Sequence, residues 1–155
     1  MIEGSCHCGA VRWSFEGVPE GATACNCTVC RRYGVLWAYD DEGEGIRVSG
    51  PTQVYARGSA IGFHFCGTCG CLAYWRALKP GEDGRRRIAV NLRLAEPEAV
   101  ARVPIDHFDR HGVIRGIQRG TAARNASYSL PNVCSSVGSS YATTKTWKKS
   151  QSSAP

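Results

Sequence analysis

The sequence lacks any apolar run long enough to span a bilayer, which excludes an ordinary transmembrane helix. Residues 1–5 also lack the basic region and apolar core that begin a secretory signal peptide. We therefore expect a cytoplasmic protein with no membrane partner. A reducing compartment disfavours disulfides, so clustered cysteines there are more often metal ligands or catalytic thiols.

Acidic residues are missing from the C-terminal part of the chain. All 13 Asp and Glu lie at or before Asp109, whereas seven of the 19 Lys and Arg lie between Arg110 and Lys149. Residues 1–109 therefore carry a net charge of −1, and residues 110–155 carry +7. The second segment is rich in Ser and Thr and poor in large apolar residues, so it cannot bury enough surface to offset its ordering entropy. We predict one domain over residues 2–109 and a basic, disordered tail over residues 110–155.

Cysteine is abundant, with nine among the 155 residues. Eight of them fall between residues 6 and 71, mostly in close pairs and triplets. The odd total and the short spacings favour metal ligands over disulfide bridges. The ninth, Cys134, lies in the predicted tail and is given no role.

Two of the clusters, Cys6-x-Cys8 and Cys66-x2-Cys69, together supply four thiolates from distant segments. Structural zinc sites are tetrahedral and fill all four positions with protein side chains, often from such closely spaced pairs. We predict that these residues form one structural zinc site that links the first strand to the middle of the domain. Metal binding would then contribute directly to folding.

The central cluster, Cys25, Cys27 and Cys30, has only three thiols. A zinc site with one open position is typical of catalysis, because a substrate can bind there. A thiol bound to the metal loses its proton near neutral pH and becomes a nucleophile. Arg31 and Arg32 follow directly, where they could pair with substrate carboxylates or remain solvated.

Other residues near the clusters receive structural interpretations. Cys71 is expected to pack in the core rather than to serve as a ligand. His7 and His64 lie close to cysteines, but the alternation of side chains along a strand favours a structural role for both. Three tryptophans at strand positions are expected in the core: Trp13, Trp37 and Trp75.

The periodicity of residues 1–109 predicts an antiparallel, β-rich domain. The segment between residues 4 and 9 is interpreted as a loop, and one short helix is predicted at residues 96–100, with Pro97 tolerated in its first turn. Strands are predicted at residues 11–16, 35–39, 46–48, 53–57, 61–65, 72–75 and 87–92.

Three motifs, at residues 4–11, 25–32 and 65–70, resemble in order and spacing the glutathione-dependent formaldehyde-activating enzyme family, which shares its domain with centromere protein V. The similarity extends over residues 2–109 and includes a segment at 104–107. It implies a mainly β, Mss4-like fold with one or two short helices. It also implies a structural zinc on the four-cysteine set and a second, more labile zinc on the three-cysteine set.

The resemblance further implies a reaction, the addition of glutathione to formaldehyde to give S-hydroxymethylglutathione, which is a carbon-sulfur lyase reaction run in reverse. One departure is Asn26, which stands where the family often has His. We expect a zinc-dependent carbon-sulfur lyase-type enzyme whose partner is a small thiol such as glutathione. The sequence predicts no particular oligomeric state.

The alternative function is a non-catalytic zinc module that binds a protein or nucleic-acid partner through the charge of residues 110–155. Nucleic acid is the less favoured partner, because the tail lacks dense Lys and Arg runs interleaved with aromatic residues.

Overall fold

The computed structural model describes residues 1–110. The helices are α1 (Thr28–Tyr33), a 3-10 turn (Leu92–Leu94) and α2 (Pro97–Val100). The strands are β1 (Ile2–Ser5), β2 (Arg12–Phe15), β3 (Ala22–Cys25), β4 (Trp37–Asp41), β5 (Ile46–Ser49), β6 (Thr52–Ala56), β7 (Ile61–Cys66), β8 (Leu72–Ala77), β9 (Arg87–Asn91) and β10 (Ile105–Phe108).

The strands form two sheets. The smaller has the order β1-β2-β5, and the larger has the order β10-β3-β4-β9-β8-β7-β6. Neighbouring strands in the described part of the chain are antiparallel, except that β10 runs parallel to β3. The prediction of a mainly β, Mss4-like fold with one or two short helices is confirmed, and two are present in the described residues.

The two faces of the large sheet belong to two separate hydrophobic clusters. Tyr74 and Ile88 pack with residues of the small sheet such as Trp13, whereas their sequence neighbours Trp75 and Ala89 pack in the second cluster with residues of α1. This division follows from the alternation of side chains along a strand. The large sheet therefore has the small sheet on one face and α1 on the other.

The seven predicted strands and the predicted helix at residues 96–100 each overlap an observed element. The three tryptophans are buried as expected, with 3%, 2% and 8% of the surface of Trp13, Trp37 and Trp75 exposed. These predictions succeeded because each segment has either a clear apolar alternation or a continuous apolar run bounded by turns.

Five elements were not predicted: β1, β3, β10, α1 and the 3-10 turn, whose first residue lies in the strand predicted at residues 87–92. The sequence predicts a loop throughout residues 4–9, but Gly4 belongs to β1 and pairs with Trp13. A Cβ atom on Gly4 would lie 2.2 Å from Cζ2 of Trp13. Only glycine therefore leaves room for the indole against this strand. Helix α1 has only Cys30 buried, and it ends at Gly34, whose φ of 59° is left-handed.

The predicted disorder of residues 110–155, and Cys134 with it, lies outside the described residues apart from Arg110. The boundary between domain and tail therefore remains a prediction. Within residues 1–110, no helix has the length and apolar character needed to cross a membrane.

Candidate metal centres

A group of four sulfurs forms where the two sheets meet. Cys6 and Cys8 follow β1, while Cys66 ends β7 and Cys69 lies in the turn before β8. Their ligand atoms all lie within 4.8 Å of one another, and Cys8 Sγ is 3.5 Å from the Sγ atoms of both Cys6 and Cys66. Sulfurs around a tetrahedral zinc, with Zn–S of about 2.3 Å, lie about 3.8 Å apart. The group could therefore hold a metal ion.

Backbone N–H groups point at these sulfurs, as a site for thiolates requires. The N–H of Val11 donates to Cys6 Sγ at 3.2 Å. Hydrogen bonds from the N–H groups of Cys71 and Cys8 lower the pKa of the Cys69 thiol to about 5. Such donors stabilise negative sulfur, which is the form that binds metal.

The thiols of this group differ in their affinity for protons. The N–H of Cys69 lowers the pKa of the Cys66 thiol. The N–H of Ala10 acts in the same direction on Cys8, but hydrogen bonds with Cys6 and Cys66 outweigh it and raise the Cys8 pKa to about 12. A metal ion entering the group would displace the protons of those thiols that still carry them.

The second group comprises Cys25, Cys27 and Cys30. Cys25 ends β3, Cys27 directly precedes α1, and Cys30 lies within the helix. Their sulfurs lie within 4.8 Å of one another, and no fourth His, Cys, Asp or Glu from residues 1–110 joins them. The group could hold a metal ion with three protein ligands.

Two donors face this three-sulfur group. The N–H of Cys27 donates to Cys25 Sγ at 3.3 Å, and the indole Nε1 of Trp37 donates to Cys30 Sγ at 3.2 Å. Hydrogen bonding to Cys27 raises the pKa of the Cys25 thiol to about 11. Hydrogen bonds with Cys25 and Cys27, together with burial, raise the pKa of Cys30, while the indole lowers it. A metal ion must displace protons to bind here.

The two groups lie in different hydrophobic clusters. Cys6 and Cys66 belong to the cluster shared by the two sheets, whereas Cys27 and Cys30 belong to the one that includes α1. The four-sulfur group brings the β1–β2 and β7–β8 connections together, and a bound metal ion would cross-link them. The three-sulfur group is held on one side by a single six-residue helix.

The remaining residues named from the sequence have these positions. His7 is exposed, and His64 is buried, stacked on Tyr74 with ring centroids 4.3 Å apart; neither joins a metal group. Cys71 is partly buried against the core, beside Cys69 but outside the four-sulfur group. Arg31 and Arg32 are exposed on α1.

Sequence reasoning missed two polar neighbours of the three-sulfur group. The sequence predicts only a core position for Trp37, and nothing in it indicates the hydrogen bond to sulfur. Tyr39 received no role, although burial, opposed by a hydrogen bond with Thr23, raises the pKa of its hydroxyl to about 12, with a further contribution from the nearby thiols. The signal available was that both residues share one face of β4, two positions apart.

Comparison with known proteins identifies the family. The family model described as glutathione-dependent formaldehyde-activating enzyme matches residues 1–101. No curated protein matches the chain. Among solved structures, the crystal structure of a Rhodobacter sphaeroides protein, a structural genomics target, is similar, with a TM-score of 0.50 and 26% identity. That match covers 67% of this chain and 99% of the other. The resemblance drawn from the cysteine motifs is thus confirmed, and the chain belongs to the glutathione-dependent formaldehyde-activating enzyme family.

Proposed function

We propose that this protein is a zinc-dependent carbon-sulfur lyase-type enzyme that joins a thiol such as glutathione to formaldehyde or another small electrophile. The observation that carries the proposal is the three-sulfur group, in which no fourth ligand from residues 1–110 accompanies Cys25, Cys27 and Cys30. Three protein ligands with one position left for substrate distinguish catalytic from structural zinc sites.

The two groups would hold zinc for different purposes. Cys6, Cys8, Cys66 and Cys69 would surround a structural ion completely, whereas the three-sulfur group would hold a more labile one. In the three-sulfur group, a bound ion would supply a positive charge that lowers the pKa of a substrate thiol toward neutrality. Sulfur-rich ligation suits zinc among the common metals.

The chain's own residues would support substrate binding in two ways. The Trp37 indole donates to Cys30 Sγ and so moderates the negative charge on the ligand set. Arg31 and Arg32 lie on α1, the helix that carries Cys30, with both side chains exposed. Glutathione carries carboxylates, and a guanidinium binds a carboxylate through two parallel hydrogen bonds.

The reaction balances without any oxidant or reductant. The thiol sulfur forms a bond to the carbonyl carbon, and the π electron pair of the carbonyl moves to oxygen. That oxygen takes up one proton, which replaces the proton lost by the thiol. The product is S-hydroxymethylglutathione when the electrophile is formaldehyde.

NMR exchange spectroscopy between glutathione and its formaldehyde adduct tests the proposal. Zinc-loaded wild type should accelerate the exchange, C30S should abolish the acceleration, and C71S should retain it because Cys71 lies outside both groups. Zinc-loaded protein that leaves the exchange at its uncatalysed rate would overturn the assignment to glutathione and formaldehyde.

The alternative, a non-catalytic zinc module, rests on the charge of residues 110–155, of which the structure describes only Arg110. A variant truncated after Arg110 separates the two functions. An enzyme of the proposed kind keeps its activity after truncation, whereas an electrostatic binder loses a salt-dependent affinity for its partner.

A further inference from the structure

The side chain of Asn26, which lies between two of the three clustered thiols, is bound to the residues that follow β10. Its Nδ2 donates to Asp109 Oδ1 at 2.6 Å, and its Oδ1 accepts a hydrogen bond from the backbone N–H of Arg110 at 2.8 Å. Its own backbone N–H donates to the carbonyl oxygen of Phe108 at 3.2 Å. Both polar ends of the amide and the backbone N–H are therefore engaged by consecutive residues.

These contacts continue the parallel pairing of β3 with β10. The register of that pair ends at Cys25 opposite Phe108. The three hydrogen bonds of Asn26 extend the connection by one residue, into the segment that joins two metal-binding thiols. The segment is thereby fixed to a part of the chain more than 80 residues away in sequence.

The thiols on the other side of Asn26 depend on a short helix. Helix α1 has six residues, and no side chain caps its start at Cys27. A helix of that length is marginal on its own, so its position is set by tertiary contacts. Fixing the residue directly before Cys27 therefore helps to determine where that thiol and Cys30 lie.

We propose that Asn26 is a positioning residue of the three-sulfur site, which holds Cys25 and Cys27 at metal-binding separation by anchoring their connection to Asp109 and Arg110. The inference rests on the proposed function of this site as a metal centre. It makes residues 105–110 part of the site, although the family match ends at residue 101. An amide does not titrate, and both polar groups of the Asn26 side chain are engaged in hydrogen bonds. Asn26 therefore orients the site and does not transfer protons.

Exchanging the two side chains provides a test. N26D alone sets a carboxylate against the carboxylate of Asp109, and N26A removes the amide. D109N alone keeps an acceptor oxygen for Asn26. In N26D/D109N the aspartate at position 26 accepts from both the new amide and the N–H of Arg110, so the connection is restored with one donor reversed.

The readouts are metal release to a chromogenic chelator and the thiolate-to-cobalt charge-transfer band of Co²⁺-loaded protein. N26A and N26D should lose metal from the three-sulfur site roughly 10-fold faster than wild type, with a shifted band. D109N should stay near the wild-type rate, and N26D/D109N should return toward it. Release from the four-sulfur site should be unchanged in all four variants, which separates positioning from a general loss of stability.

Wild-type release rates and spectra in N26A and N26D would overturn this inference and leave the proposed function intact. Wild-type protein with no cobalt band from the three-sulfur site would overturn both. If N26D also loses the four-sulfur site, it has misfolded, and the double variant decides: recovery supports the inference and continued loss overturns it.

Discussion

The indole Nε1 of Trp37 donates a hydrogen bond to Cys30 Sγ at 3.2 Å. The donor comes from β4 and the acceptor from α1, so the bond joins the large sheet to the helix that carries the third thiol. Because Trp37 is almost fully buried, the bond is shielded from water. Trp37 is therefore both a core residue and a partner of the candidate metal site.

Trp37→Phe should keep an aromatic ring in the core and remove the donor to Cys30. Loss of a hydrogen-bond partner of a metal ligand typically weakens metal binding, here by roughly 10-fold. Competition with a chelator of known affinity measures the effect. Trp75→Phe is the matched control, since Trp75 packs in the same cluster but its indole is not among the hydrogen-bond donors found for the three sulfurs within residues 1–110. Equal effects of both substitutions would show that packing, not the hydrogen bond, is responsible.

Gly4→Ala should destabilise the protein by about 3 kcal/mol, because the new Cβ would lie 2.2 Å from the Trp13 ring and 2.9 Å from the carbonyl oxygen of Leu94. Thermal unfolding should show a fall in Tm of roughly 10 °C or more.

Gly21→Ala is the control for Gly4→Ala. Its Cβ would meet nothing closer than 3.6 Å, so its Tm should stay close to that of wild type. A Gly4→Ala protein as stable as Gly21→Ala would contradict the close packing of β1 on Trp13.

His64 should make stability depend on pH. Burial, with the nearby charge of Arg76, lowers the pKa of His64 to about 4, from 6.5 in the unfolded chain. Between these values the unfolded chain binds a proton that the native state does not. The contribution of His64 to the free energy of unfolding is therefore fully present above pH 6.5 and is lost as pH falls toward 4. The loss amounts to about 2 kcal/mol after allowing for solvent screening.

Urea unfolding of wild type and His64→Asn at pH 7 and pH 4.5 measures this dependence. Asparagine keeps a polar group near Thr52, which bonds His64 Nδ1 at 2.8 Å, but it does not titrate. The variant should lose less stability than wild type on acidification. Parallel losses in the two proteins would rule out His64 as a source of the pH dependence.

Arg31→Ala/Arg32→Ala should raise KM for glutathione about 5-fold and leave kcat nearly unchanged, because exposed ion pairs contribute about 1 kcal/mol to binding. Arg102→Ala removes an exposed arginine that lies just after α2, and should not change KM. A fall in kcat without a change in KM would place the two arginines in the chemical step instead of in substrate binding.

The sequence predicts an element where its pattern lies within a few neighbouring residues, and misses one that depends on distant partners. The alternation of Val11, Trp13 and Phe15 predicted β2, because the pattern lies within a few residues. β10 was missed because its partner, β3, is some 80 residues away and half of its residues are exposed apolar ones, Ile105 and Phe108. α1 was missed because a helix with one buried residue leaves no apolar periodicity.

In the candidate site too, the sequence indicates local features but not tertiary contacts. Short spacings indicated the two pairs and the triplet, since ligand pairs one to four residues apart are a local signature, and the structure brings the two pairs together into one set. The contacts between Trp37 and Cys30 and between Asn26 and Asp109 depend on tertiary packing, and no spacing indicates them. Sequence thus identified the candidate ligands but not the residues that hold them in place.

The proposed function requires two metal sites of different character in one chain, one closed and one open. Zinc content per chain, measured before and after mild chelation of wild type and of C30S, tests it most directly. We expect two zinc ions in wild type, of which chelation removes one, and a single chelator-resistant zinc in C30S. One zinc per wild-type chain, or two that are lost together at the same rate, would contradict it.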